Sequence, residues 1–561
     1  MDDDASTRPL AMKMARLAMA GLGSAALFSA GAMANAQTVP DGRPGINTLP
    51  DAGALERAQQ QRRDELDNRP PLPQEREPVI RDERPEPELT DSASTARFRL
   101  KSVVFTPSRY LGEEELQAIA GRHVGEEVAY GDLQGIIGEI NALYRQHRIL
   151  TARAILPPQR VADGVVRIEL VEGRLGEVSI DGARTTRKSW ITGWTGLTVG
   201  GPLDTHRLER RLELYNHVND SQIGAKLHPG SAFGETDLQL QVQEPPRFQL
   251  RVFADNEGAE SIGGKEVGLD AAINSPLGRG DRLGLYYVHA AGADFGMVNY
   301  AVPLNHRGSR LGLSFSDIYS HVVSGPYKDF GVRGHSQSGQ LQFSQPIAHF
   351  GRWWLDGALA GGISRSSNEI LDADLGNDTV RFVSGSLTAI GQYDTSTFTV
   401  SLTNRYNWIG SDTEPDRGAD LWQFSGTWVQ KITGSQYTVV RLGGQYSGTH
   451  LLTSNLAMQM GGNSTVRGYP LGAIAGDDGY YANLEYHRRL SKGVAGMVFA
   501  DFGGVHTSGT PDQHISSVGV GLDMTLFKNL AINVTAARAS NRIIPDQDRF
   551  RVTARISWKM F

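Results

Sequence analysis

The sequence predicts a mainly β protein: a sixteen-stranded transmembrane antiparallel β-barrel preceded by two small α+β units. Three observations carry this reading. Residues 247–561 show no helical period. They alternate apolar and polar residues over stretches of about ten, as a barrel strand does when one face meets lipid and the other a lumen. Glycine accounts for 65 of 561 residues, well above the roughly 7% of average usage. Beyond the N-terminal region no run of apolar residues is long enough for a helical span, which needs about eighteen in succession.

Composition narrows the function classes. Hydrophobic residues are 39% of the chain and charged residues 21%. The first is too low for a multi-span helical membrane protein, the second too low for a wholly disordered one. There is no cysteine, so disulfides, thiolate metal sites and a cysteine nucleophile are excluded. A net charge of −6, from 56 basic and 62 acidic residues, gives no case for nucleic acid as a partner. No nucleotide-binding motif appears, and no cofactor is called for.

The elements follow in order. Residues 1–36 read as a secretory signal peptide. Lys13 and Arg16 precede an apolar run from Leu17 to Met33, and Ala34-Asn35-Ala36 supplies small residues before Gln37. The alternative, a membrane anchor, does not need that cleavage pattern. Asp2-Asp3-Asp4 does not suit a positive leader, so Met12 competes with Met1 as the start. Residues 37–96 are polar and proline-rich. Within them Asp51–Asn68 has the composition of a helix, with Asp51 as its N-cap. It lacks a core-facing stripe, and a helix polar all round either sits in water or fills a polar cavity. Residues 70–87 hold six prolines and read as an extended, semi-rigid linker. Composition alone favours a disordered tail for the whole segment.

Two β-α-α-β-β units follow, over 97–172 and 173–246. In the first, Phe98–Phe105 alternates as a strand, Leu111–Ala120 and Leu133–Tyr144 have helical spacing, and Ala152–Leu156 and Val165–Val171 read as strands. In the second, Leu175–Ile180 is a strand, Lys188–Thr192 a short helix and Leu203–Val218 a longer one, with Asp204 or Thr205 as its cap. Ile223–Leu227 and Leu238–Val242 complete it. Such a unit is a mixed sheet with helices on one face, and it leaves an edge strand free.

Sixteen strands can be counted in 247–561, the even number expected of a bacterial barrel. Closure pairs every backbone group away from water. The alternation is clearest in three places. Phe398, Val400, Leu402, Tyr406 and Trp408 oppose Thr399, Ser401, Thr403, Arg405 and Asn407. Tyr480, Ala482, Leu484 and Tyr486 oppose Tyr481, Asn483, Glu485 and His487. Phe550, Val552, Ala554, Ile556, Trp558 and Met560 oppose Arg551, Thr553, Arg555, Ser557 and Lys559. Trp408, Trp422, Trp428 and Trp558 are candidates for an interfacial girdle. Phe561 is aromatic, but it is out of phase with an apolar set that ends at Met560; a local bulge would restore the phase.

One constellation carries a chemical argument. Gly461–Asp478 is a glycine-rich stretch between two good strands. Arg467 offers a fork of donors that suits a carboxylate. Asp501 shares a strand face with Met497 and Phe499 and opposes Val494, Gly496, Val498 and Ala500, so it points into the lumen if the valine face meets lipid. A charge-assisted Arg467–Asp501 pair would latch the loop inside the barrel, and Gly468 would let the backbone turn tightly beside the wall. Residues alone leave open that Arg467 is solvated and Asp501 an ordinary lumen charge. Glu485 also faces the lumen, as a further member of the network or as a solvated carboxylate.

Other motifs look chemical and read better as structure. Gly334-His335-Ser336-Gln337-Ser338-Gly339 approaches a nucleophile elbow but lacks a glycine where one is needed and a following helix. Asp372, Asp374 and Asp378 with Gly376 lack the bidentate glutamate of a calcium loop and suit an extracellular turn. The histidines have no metal-ligand spacing. Arg207, Arg210 and Arg211 read as a solvated helix face.

Taken with their order, these features resemble the two-partner secretion transporters, the haemolysin-activator family of the outer-membrane superfamily that also holds the barrel assembly factor. The two small units resemble POTRA domains. Asn274-Ser275-Pro276-Leu277-Gly278-Arg279-Gly280-Asp281 resembles the family's first periplasmic turn. Val466-Arg467-Gly468-Tyr469 matches its sixth-loop motif, and Phe499-Ala500-Asp501-Phe502-Gly503 the F-x-D-x-G of its thirteenth strand. The resemblance implies a Gram-negative outer membrane, POTRA domains in the periplasm and helix 51–68 as a plug. It implies a large, β-helical partner exoprotein, encoded nearby, that arrives unfolded, binds the POTRA domains and threads the barrel. Haemolysins, adhesins and contact-inhibition toxins use this architecture. The alternative is an assembly factor for other barrels, which would have more POTRA units. An outer-membrane enzyme or simple porin lacks support, since no catalytic constellation appears and two domains precede the barrel.

Overall fold

The computed structural model describes residues 51–67, 72–73, 79–83 and 97–560, except 162, 413–414, 451 and 544–546. The expected signal peptide and Phe561 lie outside the described residues.

The first αβ unit has a three-stranded sheet. Val165–Glu172 is central, with Ser102–Phe105 parallel on one side and Ala152–Ile155 antiparallel on the other. The helices Glu113–Ala120 and Tyr130–Gln146 present Leu116, Leu133, Ile136, Ile140 and Tyr144 to that sheet. The expected single strand Phe98–Phe105 is two. Phe98–Arg99 pairs with Glu127–Val128, and Ser102–Phe105 joins the main sheet. Between them Leu100 is fully buried, its N–H given to Glu126, so the chain changes partner there.

The second unit departs from expectation at one edge. Its sheet has four strands, in the order Ile80–Asp82, Gln222–Pro229, Glu235–Gln243, Arg174–Asp181. The first comes from the proline-rich segment and lies parallel to Gln222–Pro229. One edge expected to be free is therefore covered, and part of the expected linker is a strand. The helices Lys188–Thr195 and Thr205–Val218 cover one face, burying Trp194, Leu208, Leu212 and Tyr215. Asp204 is the cap of the longer helix, accepting from Arg207 N–H at 2.8 Å. Thr205 instead joins the units: its hydroxyl donates to the Arg148 carbonyl at 2.7 Å and accepts from Leu150 N–H at 3.0 Å. Arg211 also departs from a solvated face, since its Nε donates to the Trp194 carbonyl at 2.6 Å.

The barrel is closed and antiparallel, with sixteen strands from Phe248–Asp255 to Phe550–Lys559, as the alternation predicts. The first and last strands pair from Arg251↔Lys559 to Asp255↔Arg555. Val400, Leu402, Trp408, Leu484, Val498 and Trp558 are exposed on the outer wall, where only lipid can cover them. Trp428 is half-buried and stacks on Phe398 at 5.9 Å.

The turn at 275–281 docks the second unit. Asp281 ties it together, accepting from Leu277 N–H at 2.9 Å and from the Tyr300 hydroxyl at 2.7 Å. Arg187 N–H, at the start of the Lys188–Thr195 helix, donates to the Gly278 carbonyl at 2.9 Å. Nearby, Trp354 of the barrel is stacked between His217 and His349, at 4.2 and 3.9 Å.

Candidate functional site

Two elements occupy the barrel interior. The first is the helix Ala52–Asp67. Asp51 caps it, accepting from Ala54 N–H at 2.8 Å and from Asn368 Nδ2 at 2.7 Å. Glu56, Gln59, Arg62 and Arg63 are all buried, although the helix has no apolar stripe. Their partners on the wall explain this. Glu56 accepts from the hydroxyls of Ser336 and Ser338, at 2.6 and 2.5 Å, and from that of Ser316. Gln59 donates to Glu266 at 2.8 Å. Arg62 pairs with Glu266, with Asp255 at 3.1 Å and with Glu257 at 3.4 Å. Arg555 holds the same acids from the last strand, at 3.0 Å to Asp255 and 2.7 Å to Glu257. Buried charges persist only when paired and hydrogen-bonded. The helix thus sits in a polar socket, and the serines of the false nucleophile elbow belong to it.

The second element is the long connection between the strands Gln436–Ser447 and Asp478–Ser491. It begins earlier than the glycines suggest. Residues 448–460 are part of it, and Met458–Met460 pairs with Ile474–Gly476 as its own hairpin. Arg467 is 7% exposed. Its Nε and Nη2 reach the two oxygens of Asp501 at 2.7 and 2.6 Å, and its backbone N–H reaches Oδ2 at 3.0 Å. Nη1 donates to Glu485 at 2.7 Å. The guanidinium also lies over the Phe499 ring, 3.6 Å from its centroid. A fork on a carboxylate and a face on an aromatic ring are what arginine offers and lysine does not.

The neighbouring motif residues shape this seat. Gly468 has φ +88°, and a Cβ there would stand 3.2 Å from that of Ala537, so a side chain would be both strained and crowded. Val466 is fully buried, and a Cβ on Gly503 would stand 3.0 Å from it. The Tyr469 hydroxyl, also buried, donates toward Asn541 Oδ1 at 2.5 Å and the Ser516 carbonyl at 3.1 Å. All the predicted site residues, Val466, Arg467, Gly468, Tyr469, Glu485, Phe499, Asp501 and Gly503, therefore converge on one region of the inner wall.

Several members were not singled out beforehand. Asn483 donates to Asp501 at 2.9 Å and to the Thr465 carbonyl at 2.5 Å. Arg441 and His487 flank Glu485 at 2.8 and 2.9 Å. Gly519 leaves room for the Phe499 ring, which a Cβ would meet at 2.3 Å. Asn483 and His487 share the lumen-facing period of Glu485, so a signal for them existed. The two elements also touch: Arg57 Nη2 donates to the carbonyls of Ser454 and Ala457 at 2.8 and 3.0 Å. Among the described residues no cluster of metal-ligating side chains occurs.

Comparison with known proteins agrees with this architecture. The family model described as haemolysin secretion/activation protein ShlB/FhaC/HecB matches residues 234–526. A ShlB-type POTRA domain model matches residues 98–173. The heme/hemopexin transporter protein HuxB of Haemophilus influenzae (strain 86-028NP) is 24% identical over 466 residues, 78% of this chain and 82% of that protein. The outer membrane transporter CdiB of Dickeya dadantii is 24% identical over 406 residues, 68% of this chain and 71% of that protein. Among solved structures, CdiB from Escherichia coli has a TM-score of 0.69 at 19% identity, covering 91% of this chain and 100% of the other. BamA from Haemophilus ducreyi lacking POTRA domains 1–3 has a TM-score of 0.51 at 12% identity, over 82% of this chain and 100% of the other, which marks a shared fold.

Proposed function

The chain belongs to the ShlB/FhaC/HecB family of haemolysin secretion/activation proteins, outer-membrane transporters with POTRA domains in the periplasm, and we propose how its parts divide the work of secretion. Residues 97–172 and 173–246 are the POTRA domains that recognise an unfolded partner exoprotein, and 247–561 is the barrel that it threads. The helix Ala52–Asp67 is a removable plug. The Arg467–Asp501 pair is the latch that holds the long loop in the lumen.

The observation that carries this reading is the chemistry of the helix socket. The helix is tied to the wall through hydrogen bonds and ion pairs. Water can replace such partners, so the helix can leave without exposing a large apolar face. A permanent core would have been apolar, since well-packed hydrophobic residues are often as stabilising as buried ion pairs or more so. The latch differs in kind: Arg467 is held by Asp501, Glu485 and the Phe499 ring together, which suits a loop that stays while the helix moves.

The family is made up of transporters. Relatives are named for different cargoes, heme/hemopexin for HuxB and hemolysin for HpmB of Proteus mirabilis, so the partner of this chain must be found by experiment. The test is comparative proteomics of a strain lacking the transporter. Loss of one supernatant protein, with other barrels unchanged, supports a dedicated transporter and names its cargo. Depletion of many outer-membrane barrels would instead make it an assembly factor.

A further inference from the structure

The outer wall of the barrel carries a feature that passage through the lumen does not use. It lies on the adjacent strands Trp353–Ile370, Ala373–Gln392 and Ser396–Ser411. At their periplasmic end, beside the Trp354 that contacts His217 of the second POTRA domain, the rings of Trp353, Phe398 and Trp428 form a row, with centroids 6.1 and 5.9 Å apart. Leu387, Leu402, Leu359 and Val383 follow up the wall, all exposed. Above them Tyr406 and Trp408 meet edge to face at 5.0 Å. Aromatic, aliphatic and aromatic in succession is the profile of a membrane-spanning wall.

Two arginines stand at and above the upper aromatic level. Arg381 is opposite Trp408 on one neighbouring strand and Ile363 on the other. Arg365 is opposite Thr379, so the two are diagonal neighbours across one strand pair, roughly 7–8 Å apart at the wall. Both are exposed, whereas Val380, Phe382 and Ser366, which alternate with them, are buried on the inner side.

The register gives their height. Arg381 lies ten residues along its strand from Gly391, which is opposite Trp353. At about 3.3 Å per residue and a tilt of roughly 40°, this is about 25 Å along the membrane normal, the full apolar band of such a barrel. Arg365 is one pleat pair further, at about 30 Å. Both guanidiniums therefore stand at the outer edge of the band, where headgroups begin. The carboxylates nearby are engaged elsewhere or lie beyond. Asp317 holds His335 at 2.8 Å, Asp372 pairs with Arg333 at 3.5 Å, and Asp420 accepts from Asn404 Nδ2 at 2.7 Å. Glu369 and Asp374 face each other further along the strands. Among the described residues, neither Arg365 nor Arg381 is paired with a carboxylate. Two arginine forks free to turn outward suit a phosphate.

We propose that Arg365 and Arg381 form a binding site for a phosphate of the outer-leaflet glycolipid, the phosphorylated acyl disaccharide that anchors lipopolysaccharide. Its acyl chains lie against Leu359, Val383 and Leu402, and its sugar beside the Tyr406–Trp408 pair. The inference rests on the outer-membrane location of the family and is independent of how cargo passes.

Native mass spectrometry of the detergent-solubilised full-length chain tests it, with two probes: bisphosphorylated lipid A and the same lipid with both phosphates removed. Wild type should hold the bisphosphorylated form at least tenfold more tightly, an arm that needs no variant. Arg365→Gln with Arg381→Gln should abolish that preference. Arg538→Gln, which alters an exposed arginine on the opposite side of the barrel, should keep it. Equal binding of the two lipids by wild type, or an undiminished preference in the double variant, overturns the proposal. Inorganic phosphate in tenfold excess should leave the lipid bound, since it lacks acyl chains. Displacement would make this a site for free phosphate and would overturn the lipid assignment.

Discussion

Asp501→Asn tests the latch most directly. Asp501 accepts three hydrogen bonds from Arg467, two from the guanidinium and one from its backbone N–H. Asparagine keeps one oxygen and replaces the other with a donor, so one of the two side-chain contacts becomes donor against donor. Breaking a buried ion pair by removing one partner costs about 3–5 kcal/mol. Glu485 remains 2.7 Å from Nη1, which puts the expected cost near the lower end, about 3 kcal/mol. Since 1.4 kcal/mol is tenfold, the population with the loop released should rise on the order of 100-fold. Val466 is fully buried beside the latch, and a Val466→Cys reporter would be the chain's single cysteine. Its labelling by a membrane-impermeant maleimide tracks the released population. Asp501→Asn should raise the labelling rate on the order of 100-fold without unfolding the barrel, whose heat-modifiable migration should be unchanged. An unchanged rate would show that Tyr469 and the loop backbone hold the loop, and the ion-pair account would fall.

Three further outcomes are expected. Deleting 52–67 should raise single-channel conductance in planar bilayers, because the helix and its side chains occupy the lumen; unchanged conductance would remove its role as a plug. Gly468→Ala should release the loop less than Asp501→Asn does. Strain at φ +88° and the contact with Ala537 cost about 1–3 kcal/mol, to be read with the same reporter. Glu244 should make the second POTRA domain acid-sensitive. Burial raises its pKa, but donors from Arg184, Thr185 and Thr186 outweigh that and hold it below the usual value of 4.5. Its contribution is therefore present above the unfolded pKa and is lost as pH falls from there through the lowered one. Glu244→Gln should reduce the domain's denaturation midpoint at neutral pH and flatten the acid limb of its stability profile.

The barrel was legible because its period is short and repeated. Lipid outside and water inside force alternation on each strand, so Asn483, Glu485 and His487 fall on one face in the sequence as they do on the wall. The Arg467–Asp501 pair was legible as two ends whose chemistry is complementary, whereas the placement of Arg441 beside Glu485 needed the register between strands. The strand at Ile80–Asp82 was not legible. Three residues in a proline-rich segment carry no period, and their partner lies in a domain more than a hundred residues on. The role of Glu56 was hidden for a related reason. Its acceptor site is built from Ser316, Ser336 and Ser338 on two adjacent strands, and serine on an inner wall looks like any other polar residue.

Arg57 connects the helix to the loop, so release of one is expected to loosen the other. Its Nη2 holds the carbonyls of Ser454 and Ala457, in the same loop that carries Arg467. If the helix leaves first, the loop loses donors from a charged group, each worth about 1.5–3 kcal/mol, yet keeps its own latch to the wall. If the loop leaves first, Arg57 loses those carbonyls while the helix still blocks the lumen, so nothing is gained for passage. If the helix is the plug proposed above, its exit with the loop still held on the wall is therefore the productive sequence. A double-mutant cycle tests the link. Arg57→Ala should raise labelling at Val466→Cys on the order of 100-fold, and its effect should not add to that of Asp501→Asn, with a coupling of about 0.5–3 kcal/mol, as for residues that share a network. Effects that add to within about 0.5 kcal/mol would mean that the helix and the loop release independently, with Arg57 merely resting against a loop that the wall alone controls.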